Sequence, residues 1–362
     1  MSDNRVASLD LLRGIAAFSV AIPHFFIVER IGEPLAESIS IIGVEIFFVL
    51  SGYVLAPQIL FFIFDKPDLR NAGIFLVRRW MRTLPPYVIA LLLATATAHK
   101  FMTADFFRYL VYLQNFHRQS NANDYYSIAW SLSVEEWFYL LFPPFMASVA
   151  LLLPAKPMRP ALAAASFVLT ISLLRLWFGD YTQWGSEVRR IVAFRMDAIA
   201  WGFLLHLALT RTGILARISL RSAVTAFLGI LFVAAWLTLQ LAARPNLPIE
   251  HAFPFYTAAL GATSIMLALK LEATIRQHPW FARLSHFLGR VSYSTYLFHL
   301  LVLSALTSRT AGTLGWPVLL AVYLAITFAV SALMYTAIEA PILAARPHFR
   351  RPQIAKTDAA EA

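Results

Sequence analysis

Long apolar segments alternate with short polar ones along almost the whole chain. Each apolar segment is about 20 residues long, which is the length at which a helix crosses roughly 30 Å of hydrocarbon. The pattern predicts ten membrane-spanning helices, with approximate limits at residues 9–29, 39–64, 84–102, 130–153, 160–178, 193–210, 222–243, 253–270, 285–308 and 315–344. The sixth segment gives the weakest signal, because Arg195 and Asp197 lie within it.

These segments predict an all-α fold, a polytopic membrane protein with about ten transmembrane helices. We assign residues 1–346 to one membrane-embedded domain and residues 347–362 to a polar cytoplasmic tail. An amphipathic stretch at 106–116 is predicted to lie at the membrane interface between the third and fourth helices.

Composition supports a membrane protein and excludes several other classes. Hydrophobic residues make up 59% of the 362 residues and charged residues 14%, whereas soluble domains carry about 25% charged residues. The chain has no cysteine, which excludes a disulfide framework and a thiolate nucleophile. The net charge of +10 does not indicate nucleic-acid binding, because the basic residues fall at helix ends and in short loops. The start of the chain lacks the basic region and cleavage site of a secretory signal, so we expect the first helix to be retained.

The distribution of basic residues predicts the orientation in the membrane. An even number of helices puts both termini on one side, and the loops on that side hold 19 of the 30 Lys and Arg residues, against 8 in the opposite loops. Because cytoplasmic loops are enriched in Lys and Arg, both termini are predicted to be cytoplasmic.

The first helix carries two ionisable residues in an apolar run. Arg13 and His24 are eleven positions apart, which returns to within about 20° of the same helix face and separates them by about 16 Å along the axis. Ionisable groups inside a membrane are costly, so such a pair is a functional-site hypothesis by default. Pro23 is predicted to kink the helix just before His24. The alternative is a histidine that only packs and forms hydrogen bonds.

A basic motif precedes the third predicted helix at residues 77–86. On a helical turn Arg78 and Arg82 share a face, and Arg79 adds a third guanidinium nearby. Guanidiniums at a membrane surface suit the bidentate binding of phosphates, as in a phosphorylated cofactor. The same cluster is also typical of a topology signal or a lipid-headgroup anchor.

Three of the carboxylates inside predicted helices are Glu45, Glu135 and Glu136. Glu45 is predicted to neutralise an arginine, and the neighbouring Ser51-Gly52 pair offers a small face for close approach by a helix or ligand. Glu135 and Glu136 point about 100° apart, so one can face the interior and orient a histidine. The alternative for this pair is stabilisation of a helix N-terminus.

Two later motifs add further polar groups. Arg195 and Asp197 are two positions apart, so each is predicted to pair with another helix rather than with its neighbour. Tyr296 and His299 are three apart and share a face. His299 is a weaker catalytic candidate than His24.

Six stretches together resemble a known family. They are Arg13 with His24, GVEIFFVLSGY at 43–53, RRWMR at 78–82 followed by LPP at 84–86, WSLSVEEWFY at 130–139, RMDAIAWG at 195–202 and GRVSYSTYLFH at 289–299. In this order they resemble acyltransferase family three, the integral-membrane acyltransferases that commonly modify sugars of bacterial surface and exported glycans. Two positions depart from the family pattern: Glu45 stands where Asp is frequent, and Leu11 where Gly is frequent.

The resemblance implies roles for individual residues. His24 looks like the family's essential histidine and Arg13 like its arginine partner. The residues that match the motif associated with the acyl-CoA donor are Arg78, Arg79 and Arg82. Glu135 and Glu136 match the family's acidic pair, whose separate roles the sequence leaves open. The chain ends soon after its tenth helix, so we expect it to lack the periplasmic domain fused to some relatives.

From these observations we predict a membrane O-acyltransferase in the bacterial cytoplasmic membrane. It would move an acyl group, for which acetyl is the first candidate, from acyl-CoA to a hydroxyl of a saccharide or lipid-linked saccharide. No metal cofactor is expected. His24 would act as general base or carry the acyl group, with Glu135 or Glu136 fixing its tautomer and Arg13 stabilising negative charge. Membrane lipids are expected partners and nucleic acid is not. Two alternatives are a proton-coupled transporter and the same chemistry on a secreted small molecule such as a macrolide.

Overall fold

A computed structural model describes residues 5–118, 124–243, 247–310 and 313–349. Within these ranges the secondary structure is helical throughout, with no strand. The α-helices are α1 Ala7–Val28, α2 Glu33–Leu60, α3 Leu69–Ala98, α4 Ala104–Leu110, α5 Ala129–Leu152, α6 Arg159–Phe178, α7 Val192–Arg195, α8 Asp197–Thr212, α9 Ile214–Arg217, α10 Leu220–Ala243, α11 Leu247–Gln277, α12 Pro279–Thr310, α13 Trp316–Met334 and α14 Ala340–Ala344. Short π-helical segments follow α2 and α13 at Phe61–Asp65 and Tyr335–Glu339.

Nine helices in the described part of the chain are long and apolar enough to cross a membrane, which confirms an all-α polytopic membrane protein. The fourth predicted span corresponds to α5, a helix of 24 residues that is not among the nine. Glu135, Glu136 and two prolines lower the hydropathy of that helix. All ten predicted segments are therefore helical, and nine of them also meet the criteria for a membrane span.

The third predicted helix begins much earlier than expected. The predicted limits are 84–102, but α3 begins at Leu69 and contains Pro85 and Pro86 in its interior. The side chain of Asp68 caps it by accepting a hydrogen bond from the backbone N–H of Arg70 at 2.9 Å. The arginine motif therefore lies on a regular helix and not in the preceding loop.

The N-terminus of α1 is fixed by another helix. Val6, at its N-cap position, offers no side-chain acceptor. Instead the carboxylate of Glu272, on α11, accepts hydrogen bonds from the backbone N–H groups of Ala7 at 3.1 Å and Ser8 at 2.7 Å. A carboxylate at a helix N-terminus satisfies free N–H groups and complements the helix dipole. This contact holds α1 in place where it packs between α2, α11 and α12.

Helices α2 and α8 cross at two glycines. A Cβ atom added to Gly52 would lie 1.8 Å from the carbonyl oxygen of Ile199, and one added to Gly202 would lie 1.8 Å from that of Val49. Only glycine fits at these two positions, because any side chain would force the backbones apart. The predicted small face at Ser51-Gly52 is confirmed, with another helix as the partner.

Two buried ion pairs join helices that are distant in sequence. Glu45 of α2 accepts from the Arg195 guanidinium at 2.5 Å, and Asp197 of α8 pairs with Arg175 of α6 at 2.8 Å. These contacts confirm that Glu45 neutralises an arginine and that Arg195 and Asp197 pair with separate helices. Removing one partner of a buried pair costs about 3–5 kcal/mol, because the other charge is left uncompensated.

The first and last described segments lie at the same end of the helix bundle. Burial, followed by repulsion from Arg78, Arg82 and Arg5, lowers the pKa of Arg346 to about 10. Arg5 stands just before α1 and Arg346 just after α14, so the two ends of the described chain are neighbours. Which side of the membrane this end faces stays a prediction, and residues 350–362 of the predicted tail lie outside the described residues.

Candidate active site

His24 and His299 form a pair inside the helix bundle. His24 lies on α1 directly after Pro23, and His299 lies on α12. Their ring centroids are 5.0 Å apart, and Nε2 of His299 is 3.4 Å from Nδ1 of His24. His24 is half-buried, whereas His299 is fully buried.

Backbone carbonyls determine the tautomers of both rings. Nδ1 of His299 lies 2.7 Å from the carbonyl oxygen of Tyr296, and Nδ1 of His24 lies 2.8 Å from that of Val20. A carbonyl oxygen can only accept, so both Nδ1 atoms carry the proton in the neutral rings. The Nδ1–H of His24 is then shared between Val20 and the lone pair on Nε2 of His299. In this tautomer Nε2 of His24 is unprotonated and able to take a proton.

His24 lines a polar cavity with an empty volume of about 920 Å³, which we call the histidine cavity. Its walls come from α1, α2, the start of α5, the segment before α7, and α12. The residues that matter below are His24, Glu33, Glu37, Val44, Trp130, Arg189, Arg190 and Tyr296. Two acids, two guanidiniums and an indole ring in one cavity suit a ligand that carries hydroxyl groups.

A second cavity, the arginine cavity, has an empty volume of about 740 Å³. Three guanidiniums converge on it, from Arg13 on α1 and from Arg79 and Arg82 on α3. Other walls come from α2, α5 and α12, and include Val44, Ser51, Val54, Glu135, Tyr293 and Tyr296. The Coulomb interaction of Arg82 with Arg346 puts this cavity at the end of the bundle where the described chain begins and ends.

The guanidiniums of the arginine cavity have few acidic partners. Arg13 lies 3.4 Å from Asp10, but that carboxylate is shared with Arg5 at 2.7 Å and His286 at 2.8 Å. Arg79 donates to the amide oxygen of Gln58 at 3.2 Å. Among the described residues, neither Arg79 nor Arg82 forms a salt bridge with a carboxylate. Guanidiniums that line a cavity and have few carboxylate partners favour an anionic ligand such as a phosphate.

The structure separates Arg78 from the other two arginines of its motif. Arg78 donates to the carbonyl oxygen of Pro347 at 2.6 Å, and its guanidinium lies 5.2 Å from the ring centre of Phe349. Arg79 and Arg82, three positions apart, share the face that lines the arginine cavity. The rotation of α3 turns Arg78 towards the C-terminal segment and away from the arginine cavity, and its predicted role in donor binding stays a prediction.

Glu135 and Glu136 occupy different places, and neither is a hydrogen-bond partner of His24 in the described structure. Glu135 lines the arginine cavity and accepts from Ser51 Oγ at 2.6 Å and from Tyr139 at 3.3 Å. Glu136 is buried, with 3% of its surface exposed, and it does not line that cavity. Val20 and His299 lie beside Nδ1 of His24 instead, and a catalytic role for either carboxylate stays a prediction.

Arg13 belongs to the arginine cavity and not to the histidine cavity. The spacing of Arg13 and His24 along α1 places both on an inward face, as predicted, but each lines a different cavity. The geometry does not support Arg13 as the group that stabilises negative charge beside His24. It places the Arg13 guanidinium with those of Arg79 and Arg82 instead.

Two residues line both cavities. Val44 on α2 and Tyr296 on α12 contribute to the walls of the arginine cavity and of the histidine cavity. Both are nearly buried, with 5% and 6% of their surfaces exposed. The two cavities therefore meet at these side chains, in the interior of the bundle.

The sequence analysis missed Arg189 and Arg190 as site residues. The Arg189 guanidinium lies 5.4 Å from the ring centre of Trp130, and burial, followed by repulsion from Arg190, lowers its pKa to about 10, so it stays charged at neutral pH. Arg190 pairs with Asp124 at 3.5 Å. Their sequence carried a usable signal, because an adjacent pair of arginines in a loop predicted to be outside the cytoplasm runs against the positive-inside pattern.

The fold and the two cavities define a polytopic membrane protein with an arginine-lined recess and a histidine pair inside the helix bundle. The family model described as acyltransferase domain matches residues 6–336, so the chain belongs to acyltransferase family three. It is therefore a membrane-embedded member of an acyltransferase family.

Three curated relatives give the family a more particular context. "Putative peptidoglycan O-acetyltransferase YrhL" of Bacillus subtilis (strain 168) is 25% identical over 361 residues, covering 93% of this chain and 55% of the relative. "Peptidoglycan O-acetyltransferase OatA" of Listeria monocytogenes serovar 1/2a is 24% identical over 361 residues, covering 93% and 56%. A "Putative O-acetyltransferase" of Staphylococcus aureus (strain COL) is 24% identical over 343 residues, covering 83% and 51%. The chain thus spans about half the length of the curated relatives it matches. No solved structure matches it.

Proposed function

We propose that this acyltransferase moves an acetyl group from acetyl-CoA, bound at the arginine cavity, to a hydroxyl of a saccharide bound in the histidine cavity. The observation that carries the proposal is the meeting of the two cavities at Val44 and Tyr296. One of them offers guanidiniums for a polyphosphate, and the other offers an imidazole nitrogen free to accept a proton. A donor and an acceptor can therefore approach one another inside the bundle.

The donor is proposed to bind through its phosphates to Arg13, Arg79 and Arg82. Bidentate hydrogen bonds from guanidiniums are the strongest common contacts to phosphate. The distribution of basic residues predicts that this end of the bundle faces the cytoplasm, where acyl-CoA is available. Of the other predicted site residues, Glu135 lines the arginine cavity and would face the donor. Arg78 and Glu136 do not line this cavity, and would affect donor binding by supporting the residues that do.

The chemistry proposed for His24 is proton transfer through Nε2. As the acceptor oxygen attacks the thioester carbonyl, a C–O bond forms and the C–S bond breaks. Nε2 takes the proton of the hydroxyl and delivers it to the departing sulfur, so that an ester and the CoA thiol result. The alternative route puts the acyl group on Nε2 first and then transfers it to the hydroxyl. Both routes need Nε2 unprotonated, which the contacts of Nδ1 with Val20 and His299 favour.

The acceptor is proposed to be a saccharide of the cell envelope, in free or lipid-linked form. Two relatives carry peptidoglycan in their names, and the histidine cavity contains side chains typical of sugar sites, namely the carboxylates Glu33 and Glu37 and the indole of Trp130. Membership of an acyltransferase family removes the support for a transporter. No feature of the cavity favours a macrolide over a saccharide.

The reaction can be tested with purified protein in detergent, acetyl-CoA labelled in the acetyl group, and solubilised peptidoglycan fragments as the acceptor. We expect label to enter the fragments as an ester that mild alkali releases, and we expect His24→Ala to abolish this transfer. His206→Ala is the matched control, because His206 lies on α8 against Tyr53 and lines neither cavity. Transfer at the wild-type rate by a correctly inserted His24→Ala protein would rule out the mechanism.

We further propose that the protein lies in the bacterial cytoplasmic membrane with both termini in the cytoplasm. The chain has no native cysteine, so single introduced cysteines report the side of each loop. Lys66 and Thr313 are both exposed and lie before α3 and between α12 and α13. A membrane-impermeant maleimide added to whole cells should label Thr313→Cys and not Lys66→Cys. The reverse pattern would invert the topology and place the arginine cavity outside.

A further inference from the structure

The wall between the two cavities has a defined composition. Val44 and Tyr296 are the two residues that the linings of both cavities share. Tyr296 is held by hydrogen bonds of its hydroxyl group with Ser131 Oγ at 2.6 Å and with the carbonyl oxygen of Ile128 at 3.2 Å. Its ring packs edge-on against Phe47, with 6.0 Å between centroids. The side chain therefore spans from α12 to α5 and is fixed at its far end.

Tyr296 is also connected to the histidine pair. Its carbonyl oxygen accepts from Nδ1 of His299 at 2.7 Å, and its ring centroid lies 6.0 Å from that of His299. The hydroxyl group of Tyr296 thus closes the wall, and its backbone carbonyl positions the imidazole of His299, which contacts His24. Movement of this one residue can affect both the passage and the base.

We propose that Tyr296, with Val44 opposite it, is the gate that separates the thioester from His24 until an acceptor is bound. This inference rests on the proposed function. The phosphates of the donor bind in the arginine cavity, so the thioester passes this wall on its way to His24. Tyr296 also lines the histidine cavity, where an acceptor contacts it directly. Contact with the acceptor then favours release of the Tyr296 hydroxyl from Ser131 and Ile128, and the thioester enters.

The gate has a chemical purpose. If the wall stays open, the thioester stands beside His24 whether or not an acceptor is present. Water can then replace the hydroxyl as nucleophile, and the products become acetate and CoA thiol instead of an ester. An open wall also joins two polar cavities from opposite ends of the bundle, which provides a path for protons. A closed wall at Tyr296 prevents both the hydrolysis of the thioester and the leak of protons.

The first test measures coupling, as moles of CoA thiol released per mole of ester formed on peptidoglycan fragments. We expect a ratio near one for the wild type, about ten for Tyr296→Ala and about three for Val44→Ala. The matched controls are Val49→Ala, which truncates the same residue type at a buried position of the same helix but lines neither cavity, and Tyr323→Phe, which removes a buried hydroxyl bonded to the carbonyl of Ala21 outside both cavities. Both controls should keep a ratio near one.

A second measurement does not depend on catalysis. Proteins that also carry His24→Ala are reconstituted in vesicles containing a pH-sensitive dye, and proton entry is followed after an external pH step. We expect entry about tenfold faster for Tyr296→Ala than for its parent, and unchanged for the two controls. If Tyr296→Ala does not insert, Val44→Ala decides both measurements.

The outcomes separate this inference from the proposed function. Absence of acetyl transfer by the wild type would refute the proposed function, and proton entry would still test the wall. Transfer by the wild type, together with unchanged coupling and unchanged proton entry in both gate variants, would refute the gate alone. An equal rise in Val49→Ala would show that loss of packing, not the wall, controls coupling.

Discussion

The arginine cavity and the histidine cavity each take a key residue from α1, but they hold their key groups in opposite ways. Arg13, Arg79 and Arg82 reach into the first cavity on long side chains with few fixed partners. In the second, the imidazole of His24 is fixed through Nδ1 by a backbone carbonyl and by a second ring. Binding a polyphosphate requires charge and tolerates movement, whereas proton transfer requires a single tautomer in one place. The two regions therefore have the rigidity that their proposed tasks need.

This contrast predicts which kinetic constant each residue controls. Residues of the arginine cavity should affect the KM for the donor, and residues of the histidine cavity should affect kcat or the KM for the acceptor. The following substitutions test that division, from the largest expected effect to the smallest.

Replacement of His24 by alanine should have the largest effect. Loss of a general base typically costs about 100- to 10,000-fold in rate, and we expect a fall in kcat of about 1,000-fold. Binding of acetyl-CoA, measured by calorimetry on the detergent-purified protein, should be unchanged, because His24 does not line the arginine cavity. A loss of donor binding in this variant would contradict the division between the cavities.

Replacement of Arg79 or Arg82 by alanine should raise the KM for acetyl-CoA by about 10- to 100-fold, since a hydrogen bond to a charged group contributes about 1.5–3 kcal/mol. The value of kcat should change little. Arg78→Ala is the matched control from the same motif, and we expect a change of less than about threefold, because its guanidinium contacts Pro347 and Phe349. Equal effects at all three positions would restore the grouping that the sequence suggested.

His299 should act as a positioning residue for His24. We expect His299→Leu to lower kcat by about tenfold, the upper range for one neutral hydrogen bond, with both KM values unchanged. His299→Gln retains an acceptor and should recover part of the loss. A merely structural role predicts that both variants lose protein stability in proportion to activity, which thermal unfolding of the two proteins would reveal.

Replacement of Glu37 by glutamine should have the smallest effect. Glu37 is exposed at the histidine cavity, and a single hydrogen bond to a sugar hydroxyl is worth about 0.5–1.5 kcal/mol. We expect the KM for peptidoglycan fragments to rise about threefold, with no change in the KM for acetyl-CoA. A rise in the KM for acetyl-CoA alone would indicate that the donor, and not the saccharide, binds in the histidine cavity.

Local sequence patterns predicted much of the fold and part of the site. The apolar segments located the ten helices, and the isolated charges Glu45, Arg195 and Asp197 were correctly assigned to ion pairs between helices. The start of the third helix was less accurate, because α3 begins at Leu69 and continues through the polar residues before the apolar run. The motifs of the family also led to the residues that line both cavities.

Contacts across helices could not be predicted from the sequence. The side chain that lies beside Nδ1 of His24 is His299 of α12, and not Glu135 or Glu136 of α5. The rotation of α3 places Arg79 with Arg82 at the arginine cavity and turns Arg78 towards Pro347. These contacts depend on how neighbouring helices are rotated, which the sequence of a single helix does not specify.

The sequence by itself determined that this chain is an all-α membrane protein, that Arg13 and His24 share an inward face of the first helix, and which residue types are available for acyl transfer. These properties depend on the length of apolar runs and on the helical period, both of which are local. Only the tertiary structure decided that Arg13 and His24 line separate cavities, that His299 completes the histidine pair, and that Tyr296 stands between the two cavities. Those facts depend on how helices pack and rotate against one another, and residues 275 positions apart in sequence, such as His24 and His299, meet only after that packing.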